Sequence, residues 1–278
     1  MPPPGRLSVS TTLHEDVLFE LYRRSPGATE RLPSHTHAEY QFSIGLTATN
    51  AYEHRDGISK ELPGRLTVLP PGLRHRPVAP PSHRVEARLL LVYVPAAKLR
   101  DMGRQMTGRA VPDLAGPAVL DSRIALGLRA LHRDLRRGSA LLERDDRLTS
   151  VLAALTATRH EPRRDVRGGS AQARAVTRAR EFLEEHALDE IRLERLSSEA
   201  GVSPFHLARS FTAHMGVAPH AYQLQLRVGR AKALLADGVA PAEAAARTGF
   251  CDQSHLGRHF RRLVGVTPGA YAGGARTS

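Results

Sequence analysis

Cysteine is almost absent from this 278-residue chain. Cys251 stands alone, which excludes an internal disulfide framework and any multi-cysteine zinc site. Long apolar runs are lacking too: the longest extends from Leu89 to Ala97, about half of what a membrane-crossing helix needs. The N-terminus, MPPPGRLSVS, has no apolar segment behind its charge, so no secretory signal is expected and the expected location is the cytoplasm. Lysine is scarce as well. Of 40 basic residues only Lys60, Lys98 and Lys232 are lysines, and the rest are arginines.

What is present suits a globular protein. Apolar residues make up 41%, and the length allows two domains with separate cores. Forty basic against 28 acidic residues give a net charge of +12, which favours a polyanionic partner. The planar fork of arginine matches phosphate and guanine edges. GC-rich coding would raise Arg, Ala and Gly together as well, and the excess is spread along the chain. Residues 1–170 hold 26 basic and 18 acidic groups, and residues 171–278 hold 14 and 10. Charge alone therefore admits nucleic acid without locating it.

The first 95 residues read as β-rich. Apolar runs at Val17–Tyr22, Tyr40–Leu46, Arg65–Leu69 and Val85–Val94 are separated by turn residues such as Asp56-Gly57 and Pro70-Pro71-Gly72, the pattern of a sandwich or small barrel. The period then becomes helical. Ile124, Leu128, Leu131 and Leu135 form one apolar stripe, and Leu148, Val151, Leu152 and Leu155 form another. Such stripes either pack on the barrel or make a subunit contact. Glu161–Gln172, charged and glycine-rich, reads as an interdomain linker.

Beyond the linker the chain repeats itself. Gly201-Val202-Ser203-Pro204-Phe205-His206-Leu207-Ala208-Arg209-Ser210-Phe211 corresponds to Gly249-Phe250-Cys251-Asp252-Gln253-Ser254-His255-Leu256-Gly257-Arg258-His259-Phe260. Each copy continues to a Gly-Val-x-Pro-x-Ala-Tyr segment, at Gly216–Tyr222 and Gly265–Tyr271. A duplicated helical unit accounts for this. In each copy a short helix (about 193–200 and 241–248) ends at a glycine able to adopt a left-handed cap. A second helix then starts, capped by Ser203 with Pro204 following, or by Asp252. This is the helix-turn-helix pattern. Leu207/Phe211 and Leu256/Phe260, four apart, face the core. Pro219–Ala236 reads as one connecting helix, about 27 Å long at ~1.5 Å per residue. Adjacent major grooves lie ~34 Å apart, so one such helix can seat both units on one duplex. Cys251 reads as part of the turn.

Residues 173–273 thus resemble the DNA-binding domain of AraC/XylS-type transcription regulators, through Ala200-Gly201-Val202-Ser203, Leu207, Arg209, Phe211, Gly249-Phe250, Gln253-Ser254, Leu256, Arg258, Phe260 and Gly265-Val266-Thr267-Pro268. The resemblance implies DNA contacts from Ser203, Phe205, His206 and Arg209 in one unit and Gln253, Ser254, His255 and Arg258 in the other. Ala208 and Gly257 depart from the longer polar side chains frequent in that family. In the N-terminal half, Gly64-x5-Pro70-x-Gly72-x2-His75 matches a cupin second motif, and His35-x-His37-x-Glu39 resembles its first with the carboxylate early. This resemblance implies a cupin-like sensor barrel with His35, His37, Glu39 and His75 at an effector pocket. The same residues are also a legitimate metal-ligand set.

The expected fold class is therefore α+β in two domains: an N-terminal cupin-like β-barrel with following helices, then an all-α domain with two helix-turn-helix units. The expected divisions are a barrel over 10–95, a helical transmission or dimerisation segment over 96–161, a linker over 162–172 and a DNA-binding domain over 173–273. Its helix-turn-helix units fall at about 192–213 and 241–263. The expected function is sequence-specific transcription regulation, without enzymatic activity, cofactor or resident metal. The expected partners are double-stranded promoter DNA and a small-molecule effector, with RNA polymerase and a second copy of the chain also admitted and no membrane. The alternative is a metal-dependent cupin enzyme with an accessory DNA-binding domain.

Overall fold

The computed structural model describes residues 5–28, 32–47, 49–55, 57–61, 63–78, 82–107, 118–120, 122–157 and 171–275. Its N-terminal part contains β1 (Leu7–His14), β2 (Val17–Arg24), β3 (Gly27–Ala28), β4 (Tyr40–Gly45), β5 (Asn50–His54), β6 (Gly57–Glu61), β7 (Leu66–Leu69), β8 (His75–Pro77), β9 (Ser82–His83) and β10 (Ala87–Val94). Helix α1 (Ala96–Thr107), β11 (Ala118–Leu120), α2 (Ser122–Arg137) and α3 (Leu141–Ala157) follow. The strands form an antiparallel six-stranded sheet in the order β1-β2-β10-β4-β7-β11, a three-stranded sheet β6-β5-β8 and the pair β3-β9.

Period-two alternation divides the large sheet between two environments. One face carries Phe19, Phe42, Ile44, Leu66, Val68, Leu90 and Val92, all buried against the α2 and α3 stripes. Of the two uses open to those stripes, the structure shows packing within the chain. The opposite face carries Glu20, Gln41, Ser43 and Thr67, each buried, beside Leu18, Leu91 and Tyr93. The main apolar core of this domain therefore lies between sheet and helices, leaving the barrel interior semi-polar. Strand β1 escapes a reading by apolar runs because Ser8, Ser10, Thr11 and Thr12 dominate it. It is joined to β2 through Glu15 and Asp16, which adopt φ of 49° and 64°. Two left-handed residues make a tight hairpin turn without the usual Asn-Gly signal.

Residues 161–170 of the expected linker, and Asp56 of the expected turn, lie outside the described residues. Ala171 and Gln172 are not linker but open a helix. The C-terminal part comprises α4 (Ala171–Glu185), α5 (Leu193–Ala200), α6 (Pro204–Met215), α7 (Pro219–Ala236), α8 (Pro241–Arg247), α9 (Gln253–Val264) and α10 (Pro268–Ala275). Two apolar clusters hold it. One joins Val176, Leu183, Leu196, Leu207, Phe211 and Tyr222; the other joins Leu224, Leu235, Phe250, Leu256, Phe260 and Tyr271. Helix α7 belongs to both. Val9 of β1 is buried in the second cluster, so the two domains share part of a core.

A buried polar contact reinforces this docking. Glu20 on β2 is 0% exposed, and its Oε1 lies 3.0 Å from Lys232 Nζ on α7. Tyr271 on α10 donates its hydroxyl to the same oxygen. The ammonium also sits 3.8 Å from the centroid of the Tyr93 ring. Removing one member of such a pair strands a charge in low dielectric, whereas neutralising both does not. Lys232→Met is expected to destabilise the chain by about 3–5 kcal/mol. Glu20→Gln/Lys232→Met, whose amide still accepts from Tyr271, is expected to lose clearly less, as read from urea denaturation of the two variants.

Candidate DNA interface and effector cavity

Both helix-turn-helix units are built by local sequence chemistry. Helix α5 ends at Gly201, with φ 69°, and α6 begins after Ser203, whose Oγ accepts the His206 N–H at 3.4 Å. Helix α8 is followed by Thr248 and Gly249, with φ 74°, and α9 begins after Asp252, whose Oδ1 accepts the His255 N–H at 2.7 Å. Leu207, Phe211, Leu256 and Phe260 are fully buried. Ser203, Phe205, His206, Arg209, Gln253, Ser254 and Arg258 are exposed, with Phe205 at 78%. His255 differs: it is half-buried, with its ring 5.3 Å from that of Phe250 and 4.9 Å from that of His259. Ser203 spends a hydroxyl lone pair on its cap.

The relative placement of the units depends on residues that motif reading passed over. Arg227 of α7 donates to Ala187 O (2.8 Å), Asp189 O (2.9 Å) and Gly249 O (2.6 Å). One turn earlier, Gln223 Nε2 donates to Ala187 O at 3.2 Å and to Asp189 O at 2.8 Å. One side chain thereby ties the turn after α4 to the turn of the second unit. A Cβ on Gly249 would stand 2.9 Å from Arg227 Cζ and 3.1 Å from Leu188 O. That approach, together with the positive φ, requires glycine. The available signal was a polar pair four apart on the apolar linker helix.

A cavity of about 480 Å³ lies between the barrel interior and α7. His35, His37, Glu39 and His75 all line it, joined by Gln41, Tyr52 and, from α7, Gln225, Val228, Gly229 and Lys232. Backbone pairing of His35 with His75 (N–H to O at 2.9 and 3.0 Å) brings two of the rings to 4.5 Å, and His37, two residues on, comes within 5.0 Å of His75. Each Nδ1 meets a backbone carbonyl: Pro33 at 3.1 Å, Glu39 at 2.8 Å and Leu73 at 3.0 Å. A carbonyl only accepts, so each Nδ1 carries the proton and each Nε2 keeps its lone pair. The Nε2 atoms of His37 and His75 are buried without a hydrogen-bond partner. Burial, and then the neighbouring His35, pushes the His37 pKa down to about 3; burial likewise lowers His35 and His75. The cluster is thus a neutral set of acceptors. Among the described residues, no group of three His, Cys, Asp or Glu side chains is placed to hold a metal ion.

Residues 196–273 match the helix-turn-helix domain family, and residues 19–152 match the AraC-like ligand binding domain family. The chain belongs to the AraC family of transcriptional regulators. Over 76 residues it is 49% identical to the uncharacterized HTH-type transcriptional regulator YbfI of Bacillus subtilis, covering 27% of this chain and 28% of that protein. Over 91 residues it is 35% identical to the probable transcriptional regulator LumQ of Photobacterium leiognathi, covering 32% and 37%. The match thus spans only about a third of these curated relatives. The fold likeness extends further. ToxT of Vibrio cholerae O395 superposes with a TM-score of 0.65 at 11% identity, covering 95% of this chain and 100% of ToxT. ToxT with bound unsaturated fatty acid gives 0.63 at 10% identity, covering 92% and 94%. Among the described residues of this AraC-family chain, no helix is long and apolar enough to cross a membrane.

The histidine cluster gives the family member a pH signature. Unfolded, His37 titrates near 6.5; folded, it titrates near 3. Between those values the unfolded state binds more protons, so stability is lost as pH falls below the unfolded value. For His37 alone the loss is about 2 kcal/mol by about pH 5. Urea midpoints are expected to fall between pH 7 and pH 5, and to fall less in His37→Gln. Arg227→Ala leaves the part-buried Gly249 carbonyl without its donor and the Ala187 and Asp189 carbonyls with Gln223 alone, at about 1–3 kcal/mol for the group stranded. Its thermal transition is expected to drop and to separate into two steps in calorimetry.

Proposed function

We propose that this chain is a sequence-specific DNA-binding transcription regulator whose DNA-binding domain is biased by a small molecule held between the barrel and α7. The observation that carries this reading is the double use of one helix. Gln225, Val228, Gly229 and Lys232 of α7 line the cavity, while on the opposite face Gln223 and Arg227 hold the turn between α4 and α5, and Arg227 also holds the Gly249 carbonyl in the turn of the second unit. A ligand that shifts α7 acts on both reading helices at once, through differential contact with the two positions.

The cavity favours an effector with an apolar body, as in the fatty-acid complex of ToxT. His37 and His75 add neutral acceptors for a hydroxyl or N–H donor on that effector, since both Nε2 atoms are otherwise stranded. Lys232 is already held by Glu20, so a carboxylate on the effector is not required for charge balance. In the DNA complex, Arg209, Gln253, Ser254 and Arg258 supply donors to base edges, Phe205 and His206 contact the groove, and phosphate contacts supply affinity. The ligand-binding unit is assigned to residues 10–95, the helices over 96–161 brace it, and residues 173–273 bind DNA.

The test uses a duplex selected from a random pool by the purified full chain. Gln253→Ala is expected to weaken binding to the selected site by about 1–3 kcal/mol while leaving random duplex unchanged. Failure of the pool to enrich any sequence overturns the sequence-specific reading.

A further inference from the structure

A second recess lies between the two domains, on the side of the second reading helix. It is a cleft of about 840 Å³ to which the barrel contributes Arg74 and Arg76 and α9 contributes Arg258, Arg261 and Arg262. Among the described residues no carboxylate lines it. Glu53 is hydrogen-bonded to Arg76 and leaves the other four arginines uncompensated by it. Guanidinium groups do not shed their protons at any ordinary pH. The remaining four around one cleft repel one another unless an anion joins them.

Arg74 packs directly against the end of α6. It sits in the loop that leads from the Pro70-Pro71-Gly72 turn into β8, and its stem lies across Gly216, the residue that ends α6 with φ 71°. A Cβ at Gly216 would collide with that stem. The barrel therefore places an exposed cation beside the end of one reading helix and facing the arginines of the other.

We propose that the barrel itself binds DNA: Arg74, supported by Arg76, joins Arg261 and Arg262 in a cleft that takes duplex backbone phosphates flanking the groove entered by α9, while Arg258, which also lines the cleft, serves the base edges of that groove. This rests on the reading that the helix-turn-helix domain binds duplex DNA. The partner follows from charge complementarity and from continuity, since the cleft opens along α9 and its arginines run from the middle of that helix to its last turn. The contact carries no sequence information; it adds affinity for any duplex. It also gives the docked arrangement of the domains a direct effect on binding, because separating barrel from α7 removes Arg74 and Arg76 from the phosphate track.

The experiment measures binding of the full chain to a random-sequence 30-base-pair duplex by fluorescence anisotropy over a range of KCl concentrations. Each phosphate contact contributes about −0.9 to the slope of log K against log salt. Arg74→Ala and Arg261→Ala are each expected to make that slope shallower by about one and to weaken binding several-fold at low salt. Arg137→Ala, an exposed arginine on α2, is expected to leave both unchanged. Arg74→Lys, which keeps the charge, is expected to retain most of the slope, which a purely packing role at Gly216 would not require. If Arg74→Ala matches wild type while Arg261→Ala does not, the barrel does not touch DNA and the proposal fails. Saturable binding of inorganic pyrophosphate, lost in Arg74→Ala with the salt slope intact, would make the cleft a small-anion site and overturn it as well. Absence of duplex binding by wild type would instead remove the DNA-binding reading on which the proposal stands.

Discussion

The seating of α7 against the barrel is the constraint on which the rest of this molecule depends. At its centre a fully buried carboxylate, Glu20, receives the ammonium of Lys232 and the hydroxyl of Tyr271. A charge buried this deeply is tolerable only while its partners are present, so the contact specifies a docked position more than it adds net stability. Around it the apolar contribution comes from Val9 and Leu7 of the barrel edge, which enter the core of the second helix-turn-helix unit. Without this seating the cavity has no α7 wall and the arginine cleft has only one side.

Helix α7 then distributes the consequences. Its cavity face mixes the small and apolar Val228, Gly229 and Ala233 with Lys232 and Gln225, the latter accepting the Thr36 N–H at 3.0 Å. Its far face uses Gln223 and Arg227 to satisfy carbonyls that the ends of helices and turns leave open. Both helix-turn-helix units are thereby packed on one helix, and the same helix forms a wall of the cavity. The histidines at the cavity floor are held neutral by burial and oriented by backbone carbonyls. The fold thus presets them as hydrogen-bond acceptors.

Local chemistry was legible in the sequence wherever one residue decides one backbone geometry. Gly201 and Gly249 mark left-handed turns, Ser203 and Asp252 mark helix starts, and the Leu/Phe pairs mark buried faces because each effect acts within four residues. The stripes on α2 and α3 were legible as stripes, but not their destination, since an apolar face packs equally well on a sheet or on a second subunit. Strand β1 went unread because an acidic left-handed hairpin turn and a run of Ser and Thr carry no strong strand signal. His35, His37 and His75 could be nominated by spacing, whereas their neutrality and tautomers come from burial and from carbonyls on neighbouring segments.

Short-range patterns, read residue by residue, were enough to identify the family, the duplicated helix-turn-helix units, the connecting helix and the histidines of the barrel. Which cations meet which anions became visible only in the folded chain. Glu20 and Lys232 are 212 positions apart, Glu20 and Tyr271 are 251 apart, and Arg74 reaches α9 from another domain. A hydrogen-bonded ion pair needs its atoms in contact at about 3 Å and is indifferent to separation along the chain, so it exists only once folding has brought those elements together.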